Sequence, residues 1–198
     1  MGVKYQINKT SLNELNKQLR VRKRALPTIK NKESALRLEV KKAKSLADEV
    51  VARQDELTAR LQYMSGLWTE FEPGLVNVED VKVSLSKIAG VKIPVLQDVV
   101  FSVRDFDLFS TPFWYADGIQ ILKELVTLSI EREFYLQKMR LLDKARKKTT
   151  QKVNLYEKVQ IPDYENAIRK IKRFLEDEEN LSKSAQKIVK KRSEEVAE

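Results

Sequence analysis

The N-terminal part of the chain follows a helical hydrophobic period over a long stretch. Between positions 12 and 71, mostly apolar side chains recur at alternating steps of three and four residues, which places them on one face of a helix. This face, called here the N-terminal seam, consists of Leu12, Leu15, Leu19, Arg22, Leu26, Ile29, Glu33, Leu36, Val40, Ala43, Ala47, Val50, Gln54, Leu57, Leu61, Met64, Trp68 and Phe71. A pattern sustained over so many turns is typical of a coiled coil.

Local signals predict where this helix begins, bends and ends. Ser11 and Glu14 have the spacing of a capping box, in which each side chain satisfies a backbone N–H of the first turn. Pro27 lies within the pattern and predicts a bend, because proline removes one helical hydrogen bond. Pro73 and Gly74 follow the last seam residues and predict the end of the helix.

The C-terminal part of the chain repeats the helical pattern, with a change of phase near Pro162. We call this face the C-terminal seam, and it consists of Ile121, Leu125, Leu128, Arg132, Tyr135, Met139, Leu142, Arg146, Thr149, Val153 and Tyr156, then Ile161, Tyr164, Ile168, Ile171, Phe174, Leu181, Ala185 and Ile188. Burying each large apolar side chain contributes about 1.5–3 kcal/mol, so neither seam is expected to stay exposed. We therefore predict a mainly α protein, a long antiparallel two-helix coiled coil. Pairing between two copies of the chain is the alternative.

The middle of the chain changes to a period of two. Apolar residues alternate with polar ones on both sides of Ala89-Gly90, a pair suited to a tight turn, and Pro94 is typical of an edge strand. These signals predict a small β-hairpin or two. Because an isolated hairpin is marginally stable, we interpret this segment as a contact surface. Removing residues 75–103 is then expected to leave the coiled coil largely intact.

Composition excludes several classes of enzyme. The 198 residues include no histidine and no cysteine, so imidazole-based catalysis and most transition-metal ligand sets are excluded. The five glycines lie too far apart for a nucleotide-binding loop. The acidic pairs lack a cleft in which to act, and we expect no catalytic, cofactor-binding or metal-binding residue. No apolar stretch is long enough for a membrane-spanning helix and no signal peptide is present, so a soluble, cytoplasmic protein without membrane insertion is expected.

Charge divides the chain into the same three parts. The 38 lysines and arginines exceed the 29 acidic residues, giving a net charge of +9. Residues 1–72 carry +6, residues 73–117 carry −2 and residues 118–198 carry +5. We predict three segments with these bounds: a coiled-coil helix, a connecting segment rich in aromatics with the hairpin, and a second coiled-coil helix. The basic clusters on the helices suit solvated faces, docking of an acidic protein partner, or nucleic-acid binding.

Three segments carry a resemblance to a known family. They are residues 8–36, with Arg22-Lys23-Arg24-Ala25-Leu26; residues 88–94, Ile88-Ala89-Gly90-Val91-Lys92-Ile93-Pro94; and residues 152–162, with Lys152-Val153-Asn154 and Gln160-Ile161-Pro162. In order and spacing they resemble the D subunit of V-type and archaeal A-type rotary ATPases. The chain departs from the family pattern at Glu33-Ser34, at Lys152 and around Pro27, which suggests a divergent bacterial branch.

The resemblance implies a function and a set of partners. It implies a non-catalytic central rotor shaft, or stalk, that couples ATP hydrolysis or synthesis in a catalytic ring to ion transport by a membrane ring. Implied partners are the catalytic and regulatory subunits of the ring, the small F subunit of the rotor and the subunit that caps the membrane ring. We expect the ring at Arg20, Arg22, Lys23, Arg24, Lys190, Lys191 and Arg192, and the other partners at Val83, Ile88, Gly90, Val91, Ile93 and Pro94. A basic helical scaffold or nucleic-acid-binding protein is the alternative function.

Overall fold

The structure is a computed structural model that describes residues 5–107, 109 and 111–197. Helix α1 spans Lys9–Arg60, strands β1 and β2 span Val76–Ile88 and Val91–Val103, and helices α2 and α3 span Tyr115–Asn154 and Ile161–Ala197. A π-helical turn, Leu155–Gln160, joins α2 to α3 without a break. The predicted class, mainly α with one small antiparallel hairpin in the middle, is confirmed.

Helix α1 begins earlier and ends earlier than predicted. It starts at Lys9, and the Asn8 side chain caps it by accepting a hydrogen bond from the Ser11 backbone N–H at 2.6 Å. Ser11 is therefore inside the first turn, and the predicted capping role of Ser11 is wrong. After Arg60 the chain continues as two short 3₁₀ turns, Gln62–Met64 and Leu67–Thr69. A 3₁₀ turn still winds the chain helically, with three residues per turn, so the last seam residues stay on the same face as the earlier ones.

The N-terminal seam is confirmed in full. All eighteen of its side chains are buried or half-buried, including the three polar ones. Gln54, for example, donates a hydrogen bond to the Ser129 hydroxyl at 3.1 Å. The seam period therefore identified the packed face of this part of the chain correctly.

The π-helical turn explains the predicted change of phase in the second helix. The Ile161 N–H donates to the carbonyl of Tyr156, five residues earlier, instead of four as in an α-helix. The seam accordingly steps five residues, from Tyr156 to Ile161, just before Pro162. Proline has no N–H, and in an α-helix its ring clashes with the carbonyl four residues earlier, so a wider turn accommodates Pro162.

The later part of the C-terminal seam lies open, contrary to the expectation that both seams are covered. Ile168 and Ile171 are buried, but Phe174, Leu181 and Ile188 are 48%, 73% and 56% exposed. Every side chain described from position 176 to position 193 is exposed. Within the described part of the chain, the apolar side chains at this end of α3 therefore remain largely exposed.

The chain divides into two compact units. The first comprises Met1–Lys32 and Lys148–Glu198, and its core joins Leu15 of α1 to Ala167, Ile168 and Ile171 of α3. Its two helices run antiparallel, since Lys23 pairs with Glu165 and Lys30 pairs with Glu157.

The second unit, Glu33–Lys147, contains two buried clusters. One is aromatic and is centred on Leu75, Tyr115 and Ile119, with Phe71, Phe106 and Trp114 packed around them. The other joins the hairpin to the helices, because Ile93 packs with Leu36 of α1 and Leu142 of α2, all three with 0% exposure.

Strands β1 and β2 form one antiparallel hairpin with Ile88 paired to Val91. Ala89 and Gly90 make the turn with φ of 48° and 82°, and positive values at both positions are typical of a type I′ turn. The tip packs against the helices through Ile88, Ala89 and Val91. The hairpin is thus part of the core of this unit. This packing argues against the expectation that removing residues 75–103 leaves the coiled coil intact, because removal would uncover Leu36 and Leu142.

Candidate functional site

The N-terminal basic cluster has an inner and an outer part. Arg22 is half-buried: its Nε donates to Oε1 of Gln160 at 2.8 Å, and its guanidinium lies 4.4 Å from the centre of the Tyr164 ring. Arg20 and Arg24 are exposed, as is Lys23, whose ammonium pairs with Glu165 at 2.6 Å. The structure therefore gives Arg22 a role between the helices and leaves Arg20 and Arg24 on the outer surface.

The outer members of this cluster share one open groove. Arg20, Lys23 and Arg24 line it together with Lys17 and Leu19. Positive charges so close together raise the local potential, which favours contact with an acidic surface.

The C-terminal basic cluster lies elsewhere on the first unit. Lys190, Lys191 and Arg192 are on the exposed end of α3. Earlier on the same helix, Lys183 donates a hydrogen bond to the Glu179 carboxylate. This bond is the main reason why the pKa of Glu179 lies below its usual value, and the positive charge of Lys9 lowers that pKa slightly further. The start of α1 is thus close to Glu179, and α3 continues for several turns past it to the basic cluster. The structure does not bring the two clusters together.

The hairpin residues predicted to bind partners fall on two faces. Ile93 is completely buried, and Ile88 and Val91 are half-buried against the helices. Val83 is 46% exposed and lies opposite Leu96, while Pro94 lies opposite Leu85, which is 75% exposed.

Residues directly opposite each other in an antiparallel pair share a face. Val83, Leu85, Pro94 and Leu96 therefore share one apolar face, called here the outer face of the hairpin, on which Val83 and Leu85 are exposed and Pro94 and Leu96 are half-buried. At the end of this face Lys87 pairs with Lys92, next to the exposed Gly90. Leu85 and Leu96 were absent from the predicted contact residues, although the period of two already placed Leu85 on the same side as Val83.

A second exposed apolar group lies near the aromatic cluster. Phe109 and Phe113 are 99% and 100% exposed, and Tyr63 is 83% exposed. Sequence reasoning counted Phe109 and Phe113 as part of the connecting segment without assigning them a surface role. Close by, Tyr115 donates from its hydroxyl to the Glu70 carbonyl at 2.7 Å, and Trp68, Phe71 and Trp114 pack as neighbouring rings. Buried aromatic rings and fully exposed ones therefore lie within the same stretch of sequence, since Phe113 directly precedes Trp114.

A cavity of about 330 Å³ lies between β2 and α2. Phe134 and Tyr135 provide an apolar wall, and Glu131, Lys138 and Asp98 provide charged groups. Burial, followed by the negative charge of Glu131, raises the pKa of the Tyr135 hydroxyl above its usual value.

The described residues contain no group of three acidic side chains placed to hold a metal ion. None of the helices they form combines the length and the apolar character needed to cross a membrane.

These features define a paired-helix protein with a β-hairpin and several exposed apolar and basic surfaces. Residues 11–191 match the model of the family described as the D subunit of ATP synthase. The chain is 32% identical over 190 residues to the D subunit of the V-type ATP synthase from Borreliella burgdorferi, covering 94% of both chains. It is 28% identical over 197 residues to the protein of the same name from Chlamydia muridarum, covering 97% of both. The chain belongs to the ATP synthase D-subunit family.

Proposed function

We propose that this chain is the central rotor shaft of a V/A-type rotary ATPase. In this role it couples ATP hydrolysis or synthesis in the catalytic ring to ion translocation by the membrane ring. The chain itself supplies no catalytic group and binds no cofactor; it transmits torque.

The observation that carries this proposal is the pairing of very long helices through buried seams. A shaft must carry torque along its length, and each unit of this chain pairs its helices in this way. Positions 3–65 and 119–198 contain no glycine, which removes the residue that most weakens a helix after proline. Family membership supports the same role, since the relatives are subunits of V-type ATP synthases.

The open end of α3 and the outer basic residues are the proposed contacts with the catalytic ring. Leu181, Ile188 and Val189 are more than half exposed and would be covered by the catalytic and regulatory subunits. Arg20, Arg24 and Arg192 would lie against acidic parts of that ring, with Lys190 and Lys191 beside them. Arg22 lies beneath this surface, where its contacts with Gln160 and Tyr164 hold the two helices together.

The outer face of the hairpin and the exposed aromatics are the proposed contacts with the other partners. The small F subunit of the rotor would cover Val83, Leu85 and Pro94, and Ile93 would stay inside the chain. Phe109 and Phe113 would meet the subunit that caps the membrane ring. The chain would thus be cytoplasmic and peripheral to the membrane, as one part of the complex.

Co-purification tests the proposal directly. The tagged full chain is expressed with the other subunits of its own organism's V-type ATPase, and a stoichiometric complex that contains the small F-like subunit is expected. The salt dependence of binding to DNA and RNA is measured on the same chain. Absence of any ATPase subunit, together with steeply salt-dependent retention on nucleic acid, would instead favour the basic scaffold.

Charge reversal at the outer basic residues tests the ring contact. The Arg20→Glu, Arg24→Glu double variant is expected to reduce assembly or the coupled ATPase rate, because both side chains are exposed. The double variant Lys41→Glu, Lys44→Glu makes the same change of charge at exposed positions of α1 outside the cluster and serves as the control. Equal rates for both variants and the unchanged chain would remove these arginines from the proposed contact.

A further inference from the structure

Both helices of the first unit contain a proline-associated irregularity. Pro27 lies inside α1, and Pro162 is the second residue after the π-helical turn Leu155–Gln160. Each proline lacks the N–H that a helix uses for its backbone ladder. In each helix, the ladder is therefore interrupted at one place.

The two irregularities lie at the same level of the helix pair. Lys23 pairs with Glu165 on one side of Pro27, and Lys30 pairs with Glu157 on the other, both at 2.6 Å. The stretch of α1 between these two links, which contains Pro27, therefore faces the stretch from Glu157 to Glu165, which contains the end of the π-helical turn and Pro162. Arg22 adds a third link, to Gln160 of the turn.

Packing is also sparse at this level. On α1, none of the side chains described between Leu15 and Leu36 is buried, and on the second helix none is buried between Val153 and Ala167. Contact between the helices depends on half-buried side chains and on polar links. In the link between Lys30 and Glu157, both side chains are nearly half exposed. Exposed ion pairs contribute little to stability in general. Segments with few buried contacts and interrupted hydrogen bonding are the ones that open first.

We infer that Pro27 and the turn Leu155–Gln160 form a compliant joint in the helix pair, closed by the links from Arg22, Lys23 and Lys30. At this joint the backbone hydrogen bonds open while the buried cores of the chain stay closed. One further step rests on the proposed rotor function: in the assembled complex, the joint absorbs twist between the catalytic ring and the rest of the rotor.

Amide hydrogen exchange on the full-length chain tests the joint without any partner. Amides at positions 24–31 and 155–163 are expected to exchange at least about tenfold faster than those around Leu142 and Ile171, which lie beside buried cores. The double variant Pro27→Ala, Pro162→Ala restores both donors and is expected to slow exchange at the joint about tenfold. The control Thr28→Ala, Gln151→Ala changes exposed helix positions near the joint and restores no donor.

The results separate the joint from the rotor function. Uniform exchange along both helices, or equal slowing by the control, overturns the joint whether or not a complex forms. Slowed exchange in the proline variant alone supports it. In assembled rotating complexes, a probe on the rotor should show smaller angular fluctuations with the proline variant than with the unchanged chain. Fluctuations of equal size would overturn the role of the joint in absorbing twist. A chain that joins no complex refutes the rotor function and leaves the exchange result standing.

Discussion

Gly118 lies in the first turn of α2, where aromatic rings approach its backbone closely. A Cβ built at this position would lie 2.8 Å from Cζ3 of Trp114 and 3.4 Å from Cε2 of Phe71. The indole of Trp114 cannot move away easily, because it packs against the rings of Trp68, Phe71 and Tyr115. The absence of a side chain at Gly118 is therefore a packing requirement of the aromatic cluster.

The Gly118→Ala variant is expected to destabilise the chain. Overpacking costs about 1–3 kcal/mol, which exceeds the gain of about 1 kcal/mol in helix propensity. The matched control is Gly66→Ala, because no atom lies within 4 Å of the added Cβ and the backbone there is already helical, with φ −67°. The control should be neutral or stabilising by about 0.4–1 kcal/mol. Urea unfolding followed by tryptophan fluorescence measures both, and a stabilising Gly118→Ala would contradict the packing argument.

Single residues also show what sequence could not reveal. The helical period placed Arg22 on the seam and the basic run placed it in a contact cluster, and both statements are compatible with the same sequence. Only the structure shows its guanidinium over Tyr164, because that contact joins residues far apart in the chain and depends on the register of the helices. By contrast, the five-residue step from Tyr156 to Ile161 is a sequence signal that locates the π-helical turn.

At the scale of elements, the hairpin is where prediction from sequence was least complete. The period of two and Ala89-Gly90 gave both strands and the turn, which the structure confirms. They did not show which face points inward. Each strand carries apolar residues on both faces, and irregularities between Val78 and Asp80 and between Lys82 and Val83 shift the register. The packing of Ile93 on Leu36 therefore required tertiary information.

Two single substitutions on the hairpin separate core packing from partner contact. Ile93→Ala is expected to cost about 2–5 kcal/mol, because Ile93 is completely buried between the helices. Leu85→Ala should change stability by no more than about 0.5 kcal/mol, because Leu85 is 75% exposed. Urea unfolding measures both values. If the two substitutions cost the same, the hairpin tip is not packed on the helices in solution.

The same pair of variants extends to the proposed function. Leu85→Ala is expected to weaken association with the F-like subunit measured by titration, while the free chain keeps its stability. Unchanged association would remove the outer face of the hairpin from that contact.

At the scale of the whole molecule, the open end of α3 is the part of the apolar sequence pattern that the described residues leave uncovered. The C-terminal seam continues through Leu181 and Ile188, yet both are more than half exposed. Periodicity predicts which face of a helix is apolar, and it does not say whether the covering partner belongs to the same chain. In the proposed rotor, the catalytic ring provides that cover.

The double variant Leu181→Ser, Ile188→Ser tests this interpretation. The isolated chain should unfold at nearly the same urea concentration as the unchanged chain. The replaced side chains are already more than half exposed in the folded chain, so they bury little apolar surface on folding. Assembly with the catalytic ring, measured by size-exclusion chromatography of the mixed subunits, should be reduced. The control is Glu178→Ser, Lys187→Ser, which changes exposed positions on the same helix, keeps the net charge and removes no apolar side chain. Equal assembly of the two variants would show that the apolar face is not the contact. A loss of stability in the isolated chain would instead show that the face is covered within the chain itself.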